Sequence, residues 1–300
     1  MATAPQKDRI GFIGVGYMGH GMAKNLVEKG FPLTIMGNRN RTPVDALVAK
    51  GAREVKTPAE VARNCDILFL CVTDSTVVEQ LIRGPDGIKA GAHKGLIVVD
   101  TSTANPVSTL DLAAELAPLG VTFCDAPLGG TPAQAELGGL TAMVGADDAT
   151  FARINPAIQA WASRIMHIGE VGIGHKMKLV NNFVAMGYGA LYAEALALAK
   201  KSGITPQVFD TVIRGSRMDC GFYQTFFKYV LEGDRNAHIF SLANAFKDMR
   251  YVEAMADAAH LSNPVGNAVK NSYAIAVAQG RSEEYVPMLS DAIAQQNGIK

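Results

Sequence analysis

Ile10-Gly11-Phe12-Ile13-Gly14-Val15-Gly16-Tyr17-Met18-Gly19 is the stretch on which the fold turns. A short β-prone run ends in glycines spaced GxGxxG (Gly14, Gly16, Gly19), and a helical segment, 19–29, begins at once. Gly14 permits a tight turn, Gly16 lets backbone approach a pyrophosphate, and Gly19 lets the helix pack on the strand. The amides and the positive dipole end of the helix then hold the phosphates. With thirty glycines in the chain, an isolated match says little. Its place inside a βαβ unit gives it weight, and Tyr17 and Met18 are taken with the glycines as cofactor contacts.

Working outward, further strands are expected at 33–36, 67–72, 97–99, 121–124 and 141–144, with helices at 43–50, 75–82 and 106–116. Alternating units of this kind predict a mostly parallel sheet with helices on both faces. Beyond Gly169 the pattern turns helical, at 181–200, 206–214, 242–259 and 265–278. The expected fold is an α/β Rossmann-type N-terminal domain, plus an all-α C-terminal domain. The expected boundaries are 1–169 for dinucleotide binding and 170–300 for substrate binding and oligomerisation.

Composition narrows the function classes. Hydrophobic residues make up 48% and charged residues 19%, enough apolar material for a full core. Acidic and basic residues balance at 28 each, so no net field draws the chain to nucleic acid or an anionic membrane. The four scattered cysteines form no CxxC pair and are expected as reduced thiols in the cytoplasm. Met1–Arg9 is polar and lacks the apolar region of a signal peptide. No apolar run nears the roughly 18–20 residues that span a bilayer. The six histidines show no metal-ligand spacing and no Walker A sequence occurs, so no metal site and no NTPase are expected.

The end of the second expected strand bears on the cofactor. Met36-Gly37-Asn38-Arg39-Asn40-Arg41-Thr42 has no acid to bond a ribose 2′-hydroxyl. The two arginines Arg39 and Arg41, with a hydroxyl, suit a 2′-phosphate instead, which favours NADP over NAD; Asn38 is taken with them as a cofactor contact. Which arginine makes the main contact is open.

Three later segments carry chemistry. Asp100-Thr101-Ser102-Thr103 and Asp125-Ala126-Pro127-Leu128-Gly129-Gly130-Thr131 each follow a strand, where open α/β sheets bind ligands. Gly172-Ile173-Gly174-His175-Lys176-Met177-Lys178-Leu179-Val180-Asn181-Asn182 then starts the long helix, with Lys178 and Asn182 on one face. Reducing an aldehyde by hydride transfer builds charge on oxygen, which a nearby ammonium stabilises and protonates.

Together these motifs, with Lys247-Asp248, resemble the β-hydroxyacid dehydrogenase family over nearly the whole chain. The resemblance implies NAD(P)-dependent interconversion of a small anionic 3-hydroxy acid and its semialdehyde. It makes Lys178 the catalytic acid/base and Asn182 a substrate-orienting residue. It also implies cofactor contacts from Thr103, Lys247 and the 72–73 loop, where Val72-Thr73 replaces the family's Leu-Pro. Ser102, Gly129, Gly130 and Thr131 would bind the substrate. The family's Ser-Gly-Gly is altered at 129–131, so Arg217 is a further candidate for the anionic group. Sulfonate and phosphonate head groups stay open. A homodimer or homotetramer is expected by analogy. A 6-phosphogluconate dehydrogenase would need a longer helical part, and imine reductases usually replace the lysine. The rival from another class is a non-catalytic NADP-binding scaffold protein.

Overall fold

The computed structural model describes residues 7–299. Most of the signal-peptide expectation falls on residues 1–6, outside the described residues. The chain divides into two compact units between Lys178 and Leu179.

The first unit is built on a nine-stranded sheet. Its strands are β1 (Ile10–Ile13), β2 (Leu33–Met36), β3 (Arg53–Val55), β4 (Ile67–Leu70), β5 (Ile97–Asp100), β6 (Thr122–Asp125), β7 (Leu128–Gly129), β8 (Leu140–Gly145) and β9 (Ala162–Gly169). Their order is β3-β2-β1-β4-β5-β6-β8-β7, with β9 also on β8. The first six pair in parallel; β8 runs antiparallel to β6 and β7 and parallel to β9. This is the Rossmann-type, mostly parallel sheet that the alternating strands and helices predict.

Strand β1 sits centrally, with Ile10 opposite Leu33 on one side and Ile67 on the other. Side chains alternate between faces. Phe12, Ile35, Phe69 and Val99 enter one buried cluster, and Ile13, Leu68, Leu70 and Val98 enter another. Trp161 closes the first cluster edge-on to Phe69, with centroids 6.0 Å apart. Both faces being covered explains why these strands read as unbroken apolar runs.

The helices of this unit are α1 (Gly19–Glu28), α2 (Thr42–Ala49), α3 (Pro58–Arg63), α4 (Ser75–Arg83), α5 (Ile88–Gly91), α6 (Pro106–Leu116), α7 (Pro132–Glu136) and α8 (Asp148–Ile158). Their starts are written locally. Thr57 and Glu60 form a reciprocal capping box at α3, and Asp74 caps α4 through the Val77 amide.

Helix α9 (Ile173–Lys201) continues into the second unit. That unit adds α10 (Pro206–Ile213), α11 (Gly221–Glu232), α12 (Leu242–Ala258), α13 (Pro264–Ala278) and α14 (Leu289–Gln296). Apart from an isolated bridge between Ser241 and Tyr285 it is helical among the described residues, as expected. Met186, Ala193, Tyr223, Phe226, Phe227, Leu242 and Tyr273 form its buried core. The aromatic run of α11 was not expected as a helix. Its residues suit a strand by propensity, but Tyr223, Phe226 and Phe227 fall on one helical face and are wholly buried.

Candidate functional site

The glycine loop has the geometry of a phosphate cradle. Gly14 holds φ +101°, and a Cβ there would lie 2.1 Å from the Cys71 carbonyl oxygen. A Cβ on Gly19 would lie 1.9 Å from the Gly14 carbonyl oxygen, whereas one on Gly16 would meet nothing within 4 Å. The first two glycines are therefore demanded by the protein itself, and the third leaves space. Helix α1 has no side-chain cap at Met18 and no acid in its first turn, which leaves its amides and dipole to an anion. Tyr17 is 91% exposed at the tip of this loop, and Met18 packs against the core. These residues fit a dinucleotide pyrophosphate.

The basic turn after β2 separates into two kinds of arginine. Arg41 lies 2.6 and 2.9 Å from the two carboxylate oxygens of Glu54, and 2.9 Å from Asp45. Arg41 holds the Glu54 carboxyl below its usual range. Glu54 arrives from β3, beyond the reach of a local reading of residues 36–42. The exposed Arg39 makes no ion pair among the described residues, and Asn38 accepts the Arg39 amide at 2.8 Å. The two arginines are thus unequal: Arg41 braces the turn, and Arg39 faces solvent.

At the ends of β4 and β5 the loops are tied together. The Val72 amide donates to Ser102 Oγ at 3.0 Å, and the Ser102 amide donates to Asp100 Oδ1 at 2.9 Å. Thr73 donates to Asp74 at 3.1 Å. Ser102 is buried and Thr103, beside it, is partly exposed.

Beyond β6, Gly129 pairs with Thr141, and Gly130 takes φ +125°. Thr131 caps α7, its hydroxyl oxygen accepting from the Gln134 amide at 3.3 Å. Helix α7 is laced to α1: Asn25 donates to the Ala135 carbonyl at 3.0 Å, and His20 lies 2.6 Å from Glu136. The altered 129–131 loop is therefore a fixed part of the α/β unit.

Asp125, wholly buried at the end of β6, anchors the helix that bears Lys178. Its carboxylate accepts the amides of Gly172 at 2.5 Å and His175 at 2.6 Å, satisfying donors at the start of α9. Burial raises the Asp125 carboxyl above its usual range against the opposing pull of His175 and these amides. Lys178 follows one turn later, partly exposed.

In the second unit, buried Asn182 donates to Asp248 Oδ2 at 2.6 Å, and Lys247 lies 3.3 Å from the other Asp248 oxygen. Asp248, one residue after Lys247, thus brings two of the expected residues together. Arg217 is exposed in the loop between α10 and α11, and its side chain makes no hydrogen bond or ion pair among the described residues. Asp100, Asp125, His175 and Asp248 lie inside the quoted motifs, but none is assigned a role of its own by the sequence. The usable signal was an acid closing an apolar run, as in Ile97-Val98-Val99-Asp100, because a buried carboxylate requires partners.

Residues 9–169 match the family model described as the NAD binding domain of 6-phosphogluconate dehydrogenase. Residues 172–289 match that described as NAD-binding of NADP-dependent 3-hydroxyisobutyrate dehydrogenase. The 2-(hydroxymethyl)glutarate dehydrogenase of Eubacterium barkeri is 35% identical over 227 residues, 75% of either chain. The cytokine-like nuclear factor N-PAC of Homo sapiens is 31% identical over 282 residues, covering 94% of this chain and 51% of that protein. The chain thus spans about half the length of the N-PAC relatives it matches. Among solved structures, a Mycobacterium tuberculosis 3-hydroxyisobutyrate dehydrogenase with L-serine superposes with TM-score 0.85 at 25% identity, over 96% of this chain and 99% of that one. A 3-hydroxyisobutyrate dehydrogenase from Salmonella typhimurium gives TM-score 0.82 at 26% identity, over 94% and 99%. The first unit is an NAD(P)-binding domain.

Proposed function

Because the chain belongs to the β-hydroxyacid dehydrogenase family of NAD(P)-dependent oxidoreductases, we propose that it interconverts a small anionic 3-hydroxy acid and its semialdehyde. Lys178 is the general acid/base in this proposal. The observation that carries it is the double amide anchor of Asp125, which ties the start of the Lys178 helix to the carboxyl end of β6. In an open α/β sheet that edge is where ligands bind.

When bound, the dinucleotide would supply or accept the hydride. Gly14, Gly16 and Gly19 hold its pyrophosphate, with Tyr17 and Met18 flanking. Val72, Thr73 and Thr103 approach it from the neighbouring strand ends. Arg39 receives the 2′-phosphate, which makes NADP the preferred cofactor. Lys178 donates a proton to the oxygen of the aldehyde as charge develops there, and takes it back in the oxidation direction. Asn182, oriented by Asp248, aligns the substrate one helical turn from Lys178. Ser102, Gly129, Gly130 and Thr131 hold the anionic group.

The 129–131 loop also motivates a second reading of the head group. Thr131 already serves as a helix cap, so the loop offers chiefly backbone amides. Such a nest accepts a sulfonate or phosphonate as readily as a carboxylate. An aldehyde panel carrying all three groups, followed by NADPH consumption, tests both readings. Turnover of a carboxylate semialdehyde is expected. Tight NADPH binding with no aldehyde turned over would leave a non-catalytic binding protein.

Val184, Leu191 and Val265 line an exposed apolar groove between α9 and α13. A second copy of the chain is its proposed occupant, giving a dimer or tetramer. Four free cysteines suit a reducing compartment such as the cytoplasm.

A further inference from the structure

His175 is completely buried, yet no step assigned above uses it. Its ring spans two elements of the α/β unit. Nε2 lies 3.1 Å from the Ser102 carbonyl oxygen, and Nδ1 lies 2.8 Å from Thr109 Oγ1 on α6. Asp100 and Asp125 carboxylates approach the two ring nitrogens at 3.8 Å each, and both acids are as buried as the ring.

The donor inventory constrains the protons. A carbonyl oxygen only accepts, so Nε2 must carry hydrogen. Thr109 directs its hydroxyl to the Asn105 carbonyl at 3.2 Å, which leaves its oxygen to accept from Nδ1. On that assignment both ring nitrogens are donors. Charge bears on the same point. Burial raises the Asp125 carboxyl, and the neighbouring His175 ring and two accepted amides oppose that rise; an ionised carboxylate in a dry site needs such a cation beside it.

The other titratable groups around them are accounted for. Cys71 beyond β4 is half-buried and Cys124 in β6 is buried; desolvation pushes both thiols upward, and so they stay neutral. Lys176 and Lys178 belong to the helix of His175 itself.

We propose that His175 is a positioning residue: an imidazolium clamped between Asp100 and Asp125 that fixes the first turn of α9, and with it Lys178, against the strand ends. The ring holds the carbonyl of Ser102, next to Thr103, while its own amide binds Asp125. One residue thereby joins the ends of β5 and β6 to the lysine helix. Its positive charge also lies three residues from Lys178, a spacing of about 5–6 Å between Cβ atoms on a helix.

The role toward Lys178 rests on the reaction proposed above; the protonation does not. Neutron diffraction from the wild-type protein at neutral pH tests the latter. Deuterium on both ring nitrogens is expected, and deuterium on Nε2 alone overturns the clamp. The kinetic arm uses His175→Gln, which keeps one amide donor and removes the charge. Its kcat is expected to fall at least tenfold with NADPH affinity unchanged. The pH limb of kcat should also move upward by on the order of 0.5–1 pH unit as a neighbouring cation is lost. A lowered kcat with an unmoved limb overturns the positioning role, because a merely structural histidine predicts that. Should the wild type turn over no aldehyde, the reaction fails while the neutron map still decides the clamp. Should His175→Gln not fold, the same map decides it.

Discussion

Replacing Gly16 and Gly14 separately by alanine distinguishes what the glycine loop needs for folding from what it needs for a ligand. At Gly14 the new Cβ would sit 2.1 Å from a backbone oxygen on a left-handed φ. The left-handed conformation alone costs roughly 1–2 kcal/mol for an L-residue, and the clash forces backbone to move as well. Gly14→Ala should therefore lose at least about 2 kcal/mol of stability. At Gly16 a Cβ has no protein atom within 4 Å. Stability should change little or rise by up to about 1 kcal/mol, since alanine restricts the unfolded chain. The same methyl would stand where the pyrophosphate approaches. Losing one charge-assisted hydrogen bond costs about 1.5–3 kcal/mol, or roughly 10–150-fold in affinity. Thermal unfolding and calorimetric NADPH titration of both variants give the two readouts. A Gly16→Ala protein that binds NADPH like wild type would refute the cradle. One that unfolds would show the space is not open.

Lys178→Ala is expected to lower kcat by about 10²–10⁴-fold while NADPH affinity stays within a few-fold, as removal of a general acid requires; rapid-mixing kinetics and titration check both. Arg39→Ala should weaken NADPH by roughly tenfold or more and leave NADH nearly unaffected. Arg41→Ala should mainly loosen the turn, because its guanidinium is engaged by Glu54 and Asp45; kcat/KM for the two cofactors separates the cases. Arg9 holds the Asp66 carboxyl below its usual range, so this pair stabilises the fold above the ordinary carboxylate pKa, and that contribution is lost as pH falls through the lowered value. Asp66→Asn should then cost roughly 1 kcal/mol near neutrality, with the difference from wild type shrinking as pH falls through the lowered carboxyl range in denaturant titrations. Leu191→Glu should shift the sedimentation of the protein toward a smaller species, and an unchanged species would remove the groove from any self-association.

What could be read locally was read well. The runs of β1 and β2 and helix α6 fall where periodicity and flanking turns put them, because a strand buried on both faces advertises itself. Strand β9 was missed: Ala-Ser-Arg-Ile-Met-His-Ile-Gly is only partly buried and pairs with β8 at the sheet's margin, so no apolar run marks it. Strand β3 has three residues, two of them exposed and charged. The candidate site divides in the same way. Gly14, Gly16 and Gly19 are legible because their spacing has a local cause. Glu54 beside Arg41, Asp248 beneath Asn182 and Asp125 beneath His175 are joined only by tertiary contact, across 13, 66 and 50 residues respectively. No window along the chain contains those pairs.

The long-range acids also bear on why a lysine should move the proton. Asp125 has both oxygens committed to backbone amides, and Asp248 has one on Asn182 and the other beside Lys247. Asp100 holds the Ser102 amide and faces His175. These carboxylates accept fixed donors, and moving one to a substrate would dismantle the loop it holds. His175 is enclosed, with Ser102 and Thr109 on its two nitrogens. These groups supply rigidity, which a hydride transfer needs because the reacting atoms must be held within a few tenths of an ångström. Lys178 differs in being partly exposed on the helix that those groups immobilise. A long side chain on a fixed backbone can follow an oxygen as its charge changes. In the proposed reaction the buried acids are the frame, and Lys178 is the group that moves the proton.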